Sequence, residues 1–171
     1  MYKNKRGWLI LKNLVIFYSL EGNTKFIASE IAKKVNADVL EIKSKKDYPK
    51  TGFKKFFWGG KSVLFNEKPQ LYSNDKNINE YDNIFIGTPI WVGTYAPVYN
   101  TFLEENNISN KNIYLFACHG GGGAEKFYNN IKKAMPNNNF LSEIDFNEPL
   151  KNNKDEALDK VDRWLNNLSI K

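Results

Sequence analysis

The sequence holds one cysteine, Cys118, one histidine, His119, and no apolar run near the ~20 residues that a membrane-spanning helix needs. A lone cysteine excludes an intramolecular disulfide framework and any multi-cysteine metal site, and it fits a reducing cytoplasm. A lone histidine leaves little basis for zinc chemistry. A Ser-His-Asp triad would have to use that residue at the edge of a glycine run. The start, MYKNKRGWLILK, is basic like the head of a signal peptide, but its apolar part ends where Lys12 interrupts it, so no export signal is expected. The phosphate-binding patterns GxxxxGK[ST] and GxGxxG are both missing.

Acidic residues are outnumbered, 19 against 25 Lys and Arg, for a net charge of +6. The excess falls in two places. Lys3, Lys5, Arg6 and Lys12 meet no acid in the first dozen residues, and Lys43, Lys45, Lys46, Lys50, Lys54, Lys55 and Lys61 are opposed locally only by Asp47. With no recognisable nucleic-acid module, a lysine-rich solvated surface is the simpler reading than a nucleic-acid footprint.

What is present suits one domain with a substantial core: 171 residues, 42% of them hydrophobic. Residues 1–12 read as an N-terminal extension and 13–171 as a single α/β domain. The apolar segments Asn13 to Tyr18, Asp82 to Thr88 and Ile113 to Ala117 read as buried strands, Ala37 to Ile42 as a second strand between them and Phe140 to Phe146 as a fifth. Between them lie helical stripes: Ile27, Ile31 and Val35; Val98, Phe102 and Leu103, with Tyr99 off the stripe; a helix over about Ala124 to Ala134; and Leu158, Val161, Leu165 and Leu168. Aromatics from Phe53 to Leu64 are consistent with a further helix, interrupted by Gly59 and Gly60. Strand and helix alternate five times, so the expected fold is a parallel sheet with helices on both faces and its ligands outside the strands' carboxyl ends.

Three loops follow strands there. The first, YSLEGNTK, offers side-chain donors at Ser19, Asn23 and Thr24, a tight turn at Gly22, and backbone at Leu20 and Glu21. A helix starting near Asn23 would aim unpartnered N–H groups at an anion held there, though an ordinary capped turn reads equally well from this stretch alone. The second loop runs through Thr88, Pro89, Ile90, Trp91, Val92 and Gly93. The third is Cys118, His119, Gly120, Gly121, Gly122 and Gly123, whose glycines let backbone approach a flat ligand or point several N–H groups at one acceptor.

With these loops in view, the chain resembles the flavodoxin family from about Lys12 to the C-terminus. YSLEGNT is similar to the loop that holds the phosphate of FMN without a balancing cation. GTPIWVGT resembles the loop whose aromatic residue, here Trp91, packs on the isoalloxazine, and ACHGGGG resembles the loop along the ring's other side. The resemblance implies a doubly wound five-stranded parallel sheet of order 2-1-3-4-5 and FMN as cofactor, bound by the residues of the three loops, with no catalytic side chain and no metal. It implies a cytoplasmic electron-transfer protein working with a redox partner protein or a small-molecule acceptor. An FMN-dependent NAD(P)H oxidoreductase acting on a quinone or similar acceptor is the alternative, and a non-redox phosphate-ligand or nucleic-acid module the second. Gly93, or the peptide joining it to Val92, is the expected point of backbone reorientation beside the flavin. Two departures stand out: electron carriers of the family are acidic where this chain is basic, and the second stacking position is glycine or His119 rather than an aromatic.

Overall fold

A computed structural model of the protein describes residues 11–49 and 61–168. In chain order it contains β1 (Asn13–Phe17), α1 (Asn23–Lys34), β2 (Asp38–Glu41), a 3-10 turn (Ile78–Glu80), β3 (Asn83–Pro89), α2 (Val98–Glu105), β4 (Asn112–His119), α3 (Glu125–Ala134), β5 (Asn139–Asn147) and α4 (Lys154–Asn166). The five strands form one sheet of order β2-β1-β3-β4-β5, every neighbouring pair parallel. Residues 1–10 of the expected extension, and most of the aromatic segment expected to be helical from Phe53, lie outside the described residues; 61–64 are helical. Among the described residues, no helix is long and apolar enough to cross a membrane.

Alternate residues of each strand feed two apolar layers, as the two-residue period of a strand requires. Leu14, Ile16, Ile84, Ile86, Ile113 and Leu115 pack under α2 and α3, against Val98, Tyr99, Phe102, Phe127 and Ile131. Val15, Phe17, Phe85, Tyr114, Phe116 and Phe146 pack under α1 and α4, against Ile27, Ile31, Val161 and Trp164. Truncating one such side chain costs ~2–5 kcal/mol. The half-exposed ion pairs such as Lys25–Glu41 and Lys68–Glu104 contribute at most about 1 kcal/mol each, so the fold rests on the two layers.

Tyr99 departs from expectation. It is fully buried rather than off the apolar stripe, because its hydroxyl donates to the Gly87 carbonyl at 2.6 Å. Gly87 itself tolerates no side chain: a Cβ there would lie 2.0 Å from Cζ of Phe116. The close approach brings the Phe116 ring against the backbone of β3 at Gly87.

At the opposite, starting edge of the sheet, asparagines occupy one level on four strands. Asn13 pairs with Asn83, Asn83 with Asn112, and Asn112 with Asn139 in the strand register. Their side chains bond in series: Asn83 Nδ2 donates to Asn13 Oδ1 at 2.9 Å, Asn112 Nδ2 to Asn83 Oδ1 at 3.0 Å, and Asn139 Nδ2 to Asn112 Oδ1 at 3.5 Å. Asn13 Nδ2 donates in turn to the carbonyl of Val35 at the end of α1. Asn83 is 1% exposed, so its loss strands an acceptor or donor on each side. We expect Asn83→Ala to lower stability by about 2 kcal/mol in urea unfolding, above what an exposed Asn→Ala costs.

Candidate functional site

The loops after β1, β3 and β4 converge on one cleft of about 630 Å³ at the carboxyl ends of the strands. All the residues nominated from sequence line it except Gly22 and Thr88. Thr88 is fully buried. Its hydroxyl donates to the carbonyl of Pro89 and accepts the N–H of Ala96, so it fastens the loop from behind and does not face the cleft.

Gly22 supplies geometry. It is the N-cap of α1 at φ 94, with no side chain capping the helix. The Gly22 N–H donates to Ser19 Oγ at 3.2 Å and its carbonyl accepts from Phe26, so the loop is closed by its own bonds while the first N–H groups of α1 stay uncapped. Thr24 is 1% exposed, and its hydroxyl has no hydrogen-bond partner beyond the weak Cys118 thiol beside it. A buried hydroxyl left in that state at a helix N-terminus costs free energy that an anionic oxygen would offset.

Trp91 stands on two tyrosines. Its ring meets Tyr18 at 6.1 Å and 79° and Tyr48 at 5.0 Å and 75°, both edge-to-face. Tyr48 is held in turn by Glu67, whose carboxylate takes Lys46 Nζ at 2.6 and 2.7 Å. Burial first, and then the Glu67 charge, push the Tyr48 phenol up to about 12, so it remains a neutral support. The tyrosine of the YP segment therefore has a role: it braces Trp91 from the β2–β3 connection.

Trp91 and Thr94 exchange both backbone hydrogen bonds, at 2.8 and 3.0 Å, around Val92 (φ 51) and Gly93 (φ 79). Two positive φ values make this a type I′ turn. Reorienting the joining peptide would give the II′ form, which calls for glycine at the first central position, where this chain has Val92. The expected reorientation is therefore opposed by the β-branched side chain. Val92 is also strained as it stands, since a β-branched residue at positive φ is an outlier. Val92→Asn creates the Asn-Gly pair that such turns favour, and we expect it to raise stability by about 1 kcal/mol in chemical denaturation.

The third loop takes three consecutive positive φ values, 128, 88 and 74 at Gly121, Gly122 and Gly123, which accounts for the run of glycines. One of its N–H groups is already engaged: Gly121 donates to Nδ1 of His119 at 3.1 Å. That contact puts the proton of the neutral ring on Nε2, which faces Asp145 at 3.7 Å. Lys160 shares the same carboxylate at 3.5 Å. Cys118 is buried against Thr24. Burial above all pushes its thiol up to about 12, with the Thr24 contact opposing and the Asp145 charge adding. At pH 8 we expect a neutral thiol reagent to label native Cys118 at least ~100-fold more slowly than the urea-unfolded chain.

A fourth loop, not nominated from sequence, completes the cleft. Glu148 and Lys151, after β5, line it and pair with each other at 2.9 Å. The Glu148 N–H donates to the His119 carbonyl, and the Leu150 N–H donates to Asn23 Oδ1 at 3.0 Å. This loop therefore straps the glycine loop to the start of α1. The signal in EPLKNNK is faint, because nothing in it tells which strand end it will reach.

The sequence model of flavodoxin matches residues 12–168. The chain belongs to the flavodoxin family. No curated protein matches it in sequence. Among solved structures, this flavodoxin-family chain is similar to a candidate flavoprotein of Bacteroides eggerthii DSM 20697, with 27% identity, 94% of this chain and 99% of that one covered, and a TM-score of 0.75. A second, from Bacteroides uniformis ATCC 8492, gives 25% identity, coverages of 91% and 98%, and a TM-score of 0.73. A flavoprotein of Lactobacillus acidophilus NCFM, solved in complex with FMN, shares the fold at 21% identity, with coverages of 82% and 97% and a TM-score of 0.69.

Proposed function

We propose that this flavodoxin-family chain binds FMN in the cleft and works as an electron-transfer protein. The observation that carries the reading is the buried Thr24 hydroxyl, with only the weak Cys118 thiol beside it, at the uncapped start of α1 and in the same cleft as the braced ring of Trp91. The residues present fit the group. Ser19 accepts from its own loop and keeps its hydroxyl proton to donate; Asn23 spends Oδ1 on Leu150 and keeps Nδ2; Thr24 has its hydroxyl to give. These side chains, with the first N–H groups of α1, would hold the phosphate. Trp91 would take one face of the isoalloxazine, and the backbone of Gly120 to Gly123 would lie along the other side.

When bound, FMN supplies reversible uptake of one or two electrons, and the protein sets how readily that occurs. The chain's own part is to bind, orient and shield. Val92 keeps the Trp91 turn in one form, His119 positions Gly121, and the strap closes the cleft beside Asn23. The lining carries Glu21 and Glu148 against Lys151, few charges for a site meant to disfavour an anionic ring. The chain's overall +6 suits partners with acidic surfaces, which it would meet faster at low salt.

A second reading, an FMN-dependent NAD(P)H oxidoreductase, is favoured by one observation. Around Gly121, Gly122 and Gly123 a Cβ would meet nothing within 4 Å, so no neighbouring atom covers that loop and a second flat molecule has access to it. Visible spectra before and after adding FMN test the cofactor, with a protein-perturbed flavin spectrum and FMN on release as the expected result. Anaerobic mixing with NADPH or NADH then separates the readings. A carrier bleaches over many minutes, whereas turnover with a quinone above about 1 s⁻¹ establishes the oxidoreductase and displaces the carrier.

A further inference from the structure

The strap after β5 brings a cation to a cradle that otherwise has none. Ser19, Asn23 and Thr24 are neutral donors, and among the described residues lining the cleft Lys151 is the only lysine or arginine. Its place is set by covalent and hydrogen-bonded geometry. The preceding residue, Leu150, donates its N–H to Asn23 Oδ1 at 3.0 Å, and its Cδ1 would lie 3.3 Å from a Cβ built on Gly22. Lys151 therefore leaves the chain one residue, about 3.8 Å, from a direct bond to the first residue of α1. In the structure its ammonium rests on Glu148 at 2.9 Å, with its side chain 74% exposed. An exposed pair of that kind is held weakly and exchanges readily for a better partner. A phosphate monoester is such a partner: it carries close to two negative charges and three acceptor oxygens.

We propose that Lys151 is a phosphate-binding residue that exchanges Glu148 for the phosphate monoester of the ligand, so that the site selects phosphorylated over unphosphorylated flavin by charge as well as by neutral donors. The proposal rests on the FMN reading for the identity of the ligand. Glu148 competes for the same lysine, and its own placement is secured by the backbone, through its N–H to the His119 carbonyl, rather than by the ion pair. Loss of the pair therefore leaves the strap attached at both His119 and Asn23.

The test compares FMN with riboflavin, which differs only in lacking the phosphate, by flavin fluorescence quenching on the apo-protein. Lys151→Gln is expected to weaken FMN about tenfold and leave riboflavin unchanged, and Lys151→Arg to restore most of the loss. Glu148→Gln, which releases the lysine, is expected to tighten FMN a few-fold. Raising salt from low to high should weaken FMN for the wild type more than for Lys151→Gln. Unchanged FMN affinity in Lys151→Gln overturns the proposal. Equal weakening of both flavins overturns it too, because the lysine would then support the loop. If the wild type binds neither flavin, the cofactor reading fails on its own. The lysine's role is then decided by inorganic phosphate: a phosphate-dependent rise in the apo-protein's Tm that Lys151→Gln abolishes sustains it, and no such rise removes it.

Discussion

The arrangement of the cleft depends on strand register, and the register of β1, β3 and β4 is held at their far edge by the asparagine series Asn13, Asn83 and Asn112. A parallel strand buried on both faces has apolar side chains everywhere, so a slip by two residues would still bury them. A polar side chain that must meet its counterpart at one level makes that slip expensive. With the starting edge aligned, the carboxyl ends of β1, β3 and β4 come to one height, and the loops they carry meet. The cleft at one end of the sheet is in this sense built from the other end.

Bonds between the loops then do what the sheet alone cannot. Ile90 N–H donates to the Cys118 carbonyl at 2.8 Å and joins the second loop to the third. The strap after β5 joins the third to the first, through His119 and Asn23. Trp91 is braced from outside the sheet by Tyr48, and the segment carrying Tyr48 is fastened to residues 70–72 by Lys45 N–H to the Gln70 carbonyl and Tyr72 N–H to the Lys43 carbonyl. Each contact is worth little net free energy, but together they restrict where any one loop can go.

Most of the fold and the three loops could be read directly because their signals are local. Leu14 to Phe17 has no polar break, Ile27 and Ile31 fall one helical turn apart, and a glycine run at a strand's end has few readings. What escaped was the information that exists only between elements. Asn83 reads from sequence only as part of the strand from Asp82, and becomes a register pin beside Asn13 and Asn112. Tyr99 sits off an apolar stripe until the Gly87 carbonyl is placed over it. Thr88 is adjacent in sequence to residues that face the cleft, yet the hydrogen bonds to Pro89 and Ala96 turn it inward. Glu148 and Lys151 belong to the cleft only because β5 pairs with β4 and Leu150 reaches Asn23.

The two loops on either side of the cleft differ mechanically, and the difference bears on how a redox ring would be handled. The Trp91 to Thr94 turn is closed by two backbone bonds, held from α3 by Asn130 Nδ2 on Thr94 Oγ1 at 2.9 Å, and restricted by Val92. Gly121 to Gly123 carries no side chains, has no atom within 4 Å of a built Cβ, and among the described residues is tied by the Gly121 N–H to His119, whose carbonyl the strap holds in turn. A ring whose hydrogen-bonding pattern changes with each electron needs at least one side that can adjust. Of the two sides, the aromatic turn is the more restrained and the glycine backbone the freer. His119, which accepts the Gly121 N–H at Nδ1, faces Asp145 with its other nitrogen, and Lys160 shares that carboxylate, so the glycine side of the cleft is joined to this pair behind it.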